Sequence, residues 1–294
     1  FIRKSVKDFP VTVARGLGQV MFQDNAAAGA LFLGGVAAGA SIMGIPEIAA
    51  GAVVGLVVST LAGMAVGGCD EDARSGVYGF NGILVGCALP LLLGPSAAMW
   101  GLLVAGAVAT PWLRKMLNRL MERRFASGSL TLPFVLTTWV AVAAGRLAGQ
   151  TAPSAAGDSI PDFMLLEGVL KGVSQVFLID SWLAGLLFIA GLAAGSWRAA
   201  LWAVVGSVAG LCAGLIAGAG AEGVASGLWG YNPVLTAIAL FTVFPSAGVL
   251  RGCIGILLSI ALVPVVSAVV APLSVVPLTA PFCIAVMVVM LNRL

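Results

Sequence analysis

The sequence predicts an all-α integral membrane protein built from two inverted-topology repeats, each of five transmembrane helices plus one re-entrant half-helix, ten spans in total. Three observations predict it: an extreme apolar composition, a set of sequence blocks that occurs twice, and basic residues that gather on one side of the resulting topology. Of 294 residues, 60% are apolar and 9% are charged, against about 25% charged in an average soluble domain. The mean hydropathy is +1.09. At about 20 apolar residues per helical crossing, the chain accommodates roughly ten spans with their loops. This composition excludes a soluble enzyme, a nucleic-acid-binding module and a peripheral anchor. The net charge of +3 is small and describes topology rather than an acidic partner. The first residue is Phe1 rather than Met, so a leading segment is expected upstream, and residues 1–10 lack the apolar run of a signal peptide.

The duplication is read from four blocks in the same order. GLGQVMFQD (Gly16 to Asp24) recurs 156 residues later as GVSQVFLID (Gly172 to Asp180), and GALFLGGVAAG (Gly29 to Gly39) recurs at the same offset as GLLFIAGLAAG (Gly185 to Gly195). GVYGFNGILVGCAL (Gly76 to Leu89) meets GLWGYNPVLTAIAL (Gly227 to Leu240) at 151, and LTLPF (Leu130 to Phe134) meets LTAPF (Leu278 to Phe282) at 148. Small loop deletions account for the drift. The chain therefore divides into a first repeat over 1–149, a linker over 150–162 and a second repeat over 163–294.

Apolar runs between punctuating residues place first-half spans near 8–22, 26–44, 47–67, 97–113 and 130–148. Residues 78–94 are apolar but bracketed by Gly79, Gly82 and Pro90, which suits a re-entrant half-helix. The second half repeats this with spans near 163–180, 183–198, 199–220, 246–270 and 279–293, and a short segment near 228–243. An odd number of crossings per half requires the halves to insert with opposite orientation, about a pseudo-two-fold axis in the membrane plane. With the N-terminus on side A, that side collects Arg3, Lys4 and Lys7, the loop with Arg114, Lys115, Arg119, Arg123 and Arg124, and Arg293. Side B collects Asp24, Asp70, Glu71 and Asp72 with Arg74, the linker acids Asp158 and Asp162, and Arg198. The positive-inside rule makes side A cytoplasmic, with both termini inside.

The chain has no histidine, which removes imidazole relays, most zinc sites and His-lined ammonia pores, and makes catalysis an unattractive reading. Cys69, Cys87, Cys212, Cys253 and Cys283 form no CxxC pair and read as packing residues. No cofactor or metal is expected.

In an inverted repeat the permeation site lies at the midplane, where broken helices and their mates converge. The short segments offer Phe80, Asn81 and Leu84 in one copy, and Tyr231, Asn232, Val234 and Leu235 in the other. The fifth spans offer Thr131 and Thr279, each followed two residues on by a proline that the first turn of a helix tolerates. The first spans offer Gln19, Val20 and Phe22, then Gln175 and Val176 with Leu178. Asn81 and Asn232 read as caps at the half-helix turn. Glu167 and Lys171, i and i+4, read as a local ion pair. Apolar walls with amides and hydroxyls but no full charge suit a neutral, flat, polar solute better than an ion. A passive channel is the favoured reading, an ion-coupled secondary transporter of a small neutral metabolite the alternative. A water channel is disfavoured by the lack of an NPA motif.

The blocks GLGQVMFQDN, GALFLGG, YGFNGILVG and LTLPFVLTTW, each with a second-half partner, make the chain similar to the urea transporter family over essentially its whole length. The resemblance implies a bacterial inner-membrane homotrimer whose subunits each carry urea down its gradient through their own pore, with lipid around them and no nucleic-acid partner. Carried over, Gln19, Val20 and Phe22 line one mouth and Gln175 and Val176 the other. Phe80, Leu84, Tyr231 and Val234 form a slot, and Thr131 and Thr279 the constriction. Tyr231 stands where phenylalanine is implied, and Leu178 stands opposite Phe22. Urea is planar, so such a slot would sandwich its faces while acceptors along one edge replace lost water.

Overall fold

The computed structural model describes residues 2–67, 71–121, 123–153 and 164–291, and the side chains from Phe9 onward. The called positions Cys69, Asp70, Asp158, Asp162 and Arg293, and the side chains of Arg3, Lys4 and Lys7, lie outside the described residues. Among the described residues the secondary structure is helical: α1 (Ile2–Gln19), α2 (Ala26–Ile42), α3 (Glu47–Gly67), α4 (Glu71–Arg74), α5 (Phe80–Leu93), α6 (Ala97–Met121) and α7 (Leu132–Leu147). The second half follows as α8 (Met164–Ser174) with a 3₁₀ turn over Gln175–Phe177, then α9 (Trp182–Gly195), α10 (Trp197–Ile216), α11 (Ala221–Ala225), α12 (Tyr231–Ile238), α13 (Val249–Val270) and α14 (Ala280–Val289). By length and apolarity, the segments Glu47–Gly67, Trp197–Ile216 and Val249–Leu273 are each sufficient to cross a membrane.

Polar caps start several of these helices. Asn25 accepts from the N–H groups of Ala27 and Ala28, Ser181 from Ala184 and Ser196 from Ala199, satisfying donors that the first turn leaves open. Between α3 and α5 the backbones touch: a Cβ on Gly86 would sit 2.0 Å from the Gly51 carbonyl oxygen, and one on Gly55 would sit 2.2 Å from that of Gly82. Small residues allow this approach, and dispersion along the seam replaces the hydrophobic drive that lipid does not supply. The halves meet where α2 and α9 run antiparallel. There the Phe32 ring covers Gly191 and the Phe188 ring covers Gly35, and Phe32, Phe177 and Phe188 pack with centroids 4.8–5.8 Å apart.

Three expectations change. The helix expected to end near 113 continues to Met121, because the Arg- and Lys-rich stretch that reads as a loop also has good helix propensity. The spans expected separately near 163–180 and 183–198 are two helices joined by a 73° bend. The segment over 78–94 does not turn back. Its leading end lies with the C-terminal end of α6, since Arg114 Nη1 lies 2.8 Å from Asp72 Oδ2 and Lys115 Nζ donates to the Val66 carbonyl. Its trailing end, at Leu93, packs on Gly145 of α7, four residues before α6 sets out from the opposite end. Asp72 and Arg74 consequently do not face Arg114 across the membrane, as the charge sorting required. Fourteen residues rise only about 21 Å, and the difference is made up by residues 75–79, which descend beside α3 with Tyr78 against Gly63 and Gly79 against Thr60.

Candidate functional site

Two cavities approach each other from opposite ends of the helix bundle. One, about 180 Å³, is lined by Gln19, Val20, Phe22, Phe80 and Thr131, together with Arg114, Asn118 and the segment Ser127 to Leu130. The other, about 330 Å³, is lined by Gln175, Val176, Leu178, Tyr231, Leu278 and Thr279, with Phe134 and Val263 among its apolar walls. Between them Thr131 Oγ1 and Thr279 Oγ1 lie 2.7 Å apart, with Thr131 3% and Thr279 2% exposed. Nine of the twelve residues singled out in the sequence thus stand on one cavity or the other. Leu84, Val234 and Leu235 lie off both linings, fully buried in the core.

Local backbone conformation explains how each pair is aimed. Phe22 and Leu178 have φ of 61° and 58°, Leu130 and Leu278 of 49° and 50°. Non-glycine residues in the left-handed region carry strain, which surrounding structure must hold in place. At the first pair the chain stops α1 or the 3₁₀ turn after α8, so the Gln and Val before it face a cavity rather than a continuing helix. Gln19 Nε2 donates to the Ser75 carbonyl at 3.0 Å and Gln175 Nε2 to that of Ser226 at 2.9 Å. Each amide therefore ties its turn to the neighbouring loop and retains Oε1 as an acceptor. The second pair precedes Thr131 and Thr279, the N-caps of α7 and α14.

A threonine N-cap ordinarily accepts from an N–H in its own first turn. Neither Thr131 nor Thr279 does so. Instead Asn81 Oδ1 accepts from the Phe134 N–H at 3.1 Å, and Asn232 Oδ1 from the Phe282 N–H at 3.0 Å. The asparagines are caps, as expected, but of α7 and α14 rather than of their own helices. Because the cap comes from α5 or α12, the threonine hydroxyls are free to meet each other. Tyr231 adds an asymmetry, since its hydroxyl and Asn232 Nδ2 both donate to the Leu278 carbonyl, whereas Phe80 has no hydroxyl to offer at the corresponding place.

Charges stand back from the constriction. Lys171 Nζ lies 2.8 Å from Glu167 Oε1 and 2.7 Å from Asp180 Oδ1, so the local pair of the sequence reading is a triad that ties α8 to the bend. Arg15 Nε and Asp24 Oδ1, at 3.4 Å, are the first-half counterpart. On the linings of these two cavities the charged side chain is Arg114.

Sequence reasoning missed Cys283, whose Sγ lies 3.1 Å from Thr131 Oγ1 and so belongs to the constriction as well as to packing. Cys87 is buried, while Cys212 and Cys253 are exposed on outer helix faces. It also missed Arg114, Asn118 and Ser129. No motif marked them, because they have no like counterpart in the second half.

The urea transporter family model matches residues 11–293. Urea transporter 1 of Ovis aries is 28% identical over 246 residues, covering 79% of this chain and 62% of that protein, and urea transporter 1 of Capra hircus gives the same values. Urea transporter 1 of Rattus norvegicus is 25% identical over 259 residues, covering 81% of this chain and 66% of that protein. The chain thus spans about three-fifths of the length of the first two relatives.

Proposed function

The chain belongs to the urea transporter family, a family of transport proteins rather than enzymes, and from that premise we propose that it is a passive channel for urea and close amide analogues, with one pore per subunit. The observation that carries this reading is the paired threonine constriction between two cavities, reached past apolar walls and amide acceptors. A planar solute with N–H donors loses its hydration on entry, and Gln19 Oε1, Gln175 Oε1 and the two hydroxyls are the acceptors that replace it. An ion entering there would meet no compensating ring of charge. The acids near the two bends are engaged by Arg15 and Lys171, which speaks against a free carboxylate for ion coupling. Phe22, Phe80, Val20, Val176 and Tyr231 form the walls. Leu84, Val234 and Leu235 act behind them, shaping the slot.

The architecture goes with this reading as two inverted repeats of five crossings. Each half counts its first two helices as one broken span and its fifth helix as a full crossing, α5 in one half and α12 with its π-helical continuation over Ala239–Val243 in the other, so the odd number survives. Reciprocal packing of Phe32 on Gly191 and Phe188 on Gly35 is what a two-fold axis perpendicular to α2 and α9 produces. The end carrying Arg114, Lys115, Arg119, Arg123 and Arg124 is cytoplasmic by the positive-inside rule, and Asp72 and Arg74 share it. Both termini lie on that side. The protein resides in a bacterial inner membrane as a homotrimer surrounded by lipid, with no cofactor and no nucleic-acid partner.

Stopped-flow flux in liposomes tests the function. Urea should equilibrate without any ion gradient, show half-saturation only at high concentration, and move at rates indifferent to pH between roughly 6 and 8, the range in which histidine would titrate. Flux that required a sodium or proton gradient would overturn the channel in favour of a coupled transporter.

A further inference from the structure

The two cavities are built from matching segments, yet their mouths differ in chemistry. Arg114, Asn118, Ser127 and Ser129 line one. At the corresponding positions, 148 or 149 residues later, the other is lined by Val263, Ser267, Val276 and Pro277. What the first mouth leaves unpaired is mainly donors. Asn118 Oδ1 is occupied by the Ser129 N–H at 2.8 Å, so its Nδ2 is the end left over. Arg114 gives Asp72 one nitrogen at 2.8 Å, and a guanidinium has five N–H groups. Ser129 is 2% exposed, and its Oγ has no hydrogen-bond partner. A buried hydroxyl left unpaired is costly, which points to a ligand atom that completes it.

Elsewhere on the same lining the free group has the opposite sign, because Gln19 has donated its nitrogen to Ser75 and presents oxygen. A planar solute lying between these groups is sorted by its own polarity, carbonyl oxygen toward Arg114, Asn118 and Ser129 and N–H groups toward Gln19. We propose that Arg114, Asn118 and Ser129 form an outer binding subsite for the carbonyl oxygen of a planar amide or urea, present at one mouth only. It rests on the reading of the chain as a urea channel and adds to that reading an orientation and a sidedness. At about 180 Å³ the cavity holds several waters' worth of solute. A guanidinium-like cation, with no carbonyl and a charge repelled by Arg114, is refused there.

Two substitutions with different side effects test the proposal. Asn118→Asp keeps an oxygen for the Ser129 N–H and exchanges the Nδ2 donor for a charged acceptor oxygen, while Ser129→Ala removes the hydroxyl and adds no charge. Initial rates are measured in oriented vesicles, with urea or thiourea supplied from either face. Thiourea keeps the shape and the N–H groups, but its sulfur is a poor acceptor. Each variant should raise the half-saturating urea concentration roughly 2- to 10-fold, the equivalent of one lost hydrogen bond, when urea enters by the Arg114 mouth. Entry from the other mouth and thiourea from either side should change far less. Equal changes for urea and thiourea mean a distorted wall, and no change for urea means no subsite; either result overturns the proposal. Absence of urea flux in the unmodified protein would instead overturn the channel reading beneath it, and the subsite with it.

Discussion

Thr131 and Thr279 share one hydrogen bond, so each hydroxyl is the packing partner of the other, and in the proposed channel each is also an acceptor at the constriction. These two roles separate in a substitution series. Thr131→Val alone leaves the Thr279 hydroxyl buried with its partner gone, at a cost of about 1–3 kcal/mol in stability. Thr131→Val with Thr279→Val removes both polar groups and should recover most of that stability, since matched apolar replacement is close to neutral. Urea flux should move the other way, falling roughly 5- to 150-fold when acceptors are lost at the narrowest point and not recovering in the double variant. Thr→Ser at either site should be mild. Thermal unfolding and stopped-flow flux on the same preparations check this, and flux that tracked stability through the series would make the threonines packing residues. The residue types and spacing of these two positions were legible in the sequence. Their mutual contact was not, because it needs Asn81 and Asn232 to relieve them of capping, and those bonds span 53 and 50 residues of chain.

At the scale of elements, the seam of α3 with α5 sets where Phe80 and Asn81 stand. It is held by bare backbone contact, so a single methyl is decisive. Gly86→Ala would place its Cβ 2.0 Å from the Gly51 carbonyl oxygen, whereas a Cβ on Gly101 meets nothing within 4 Å. Gly86→Ala should therefore abolish assembly or lower the melting temperature sharply, by the overpacking mechanism that costs 1–3 kcal/mol or more. Gly101→Ala should be neutral or slightly stabilising through helix propensity. Fluorescence-detected gel filtration of the two variants decides it, and equal behaviour would mean that α3 and α5 pack less closely than described. The helices themselves were readable from apolar runs and caps such as Asn25 and Ser181. Two boundaries were not. The extension of α6 through Arg114 and Lys115 to Met121 is amphipathic and sits against the α3–α4 corner, a tertiary setting that hydropathy does not encode. The break after Gln19 and Gln175 depends on left-handed Phe22 and Leu178, residue types that carry no turn signal of their own.

Across the whole molecule, the ion pair of Arg114 with Asp72 has a consequence for topology. Single cysteines at Arg119 and Asp72 should be labelled by a membrane-impermeant thiol reagent from the same face, and one at Thr151 from the opposite face, in a background with the native cysteines replaced. Asp72 and Arg119 labelling from opposite faces would break the assignment of α5 as a full crossing. Composition and the four duplicated blocks by themselves determined that the protein is an apolar helical bundle with its interesting residues in pairs, because hydropathy and repetition are local properties of the chain. What only the tertiary structure decided is where those pairs meet. The sidedness of Asp72, the trans caps from Asn81 and Asn232, and the donor cluster at a single mouth all depend on contacts between segments distant in sequence. Duplication also conceals such differences: a repeat draws attention to what recurs, and Arg114, Asn118 and Ser129 matter for what their counterparts Val263, Ser267 and Pro277 lack.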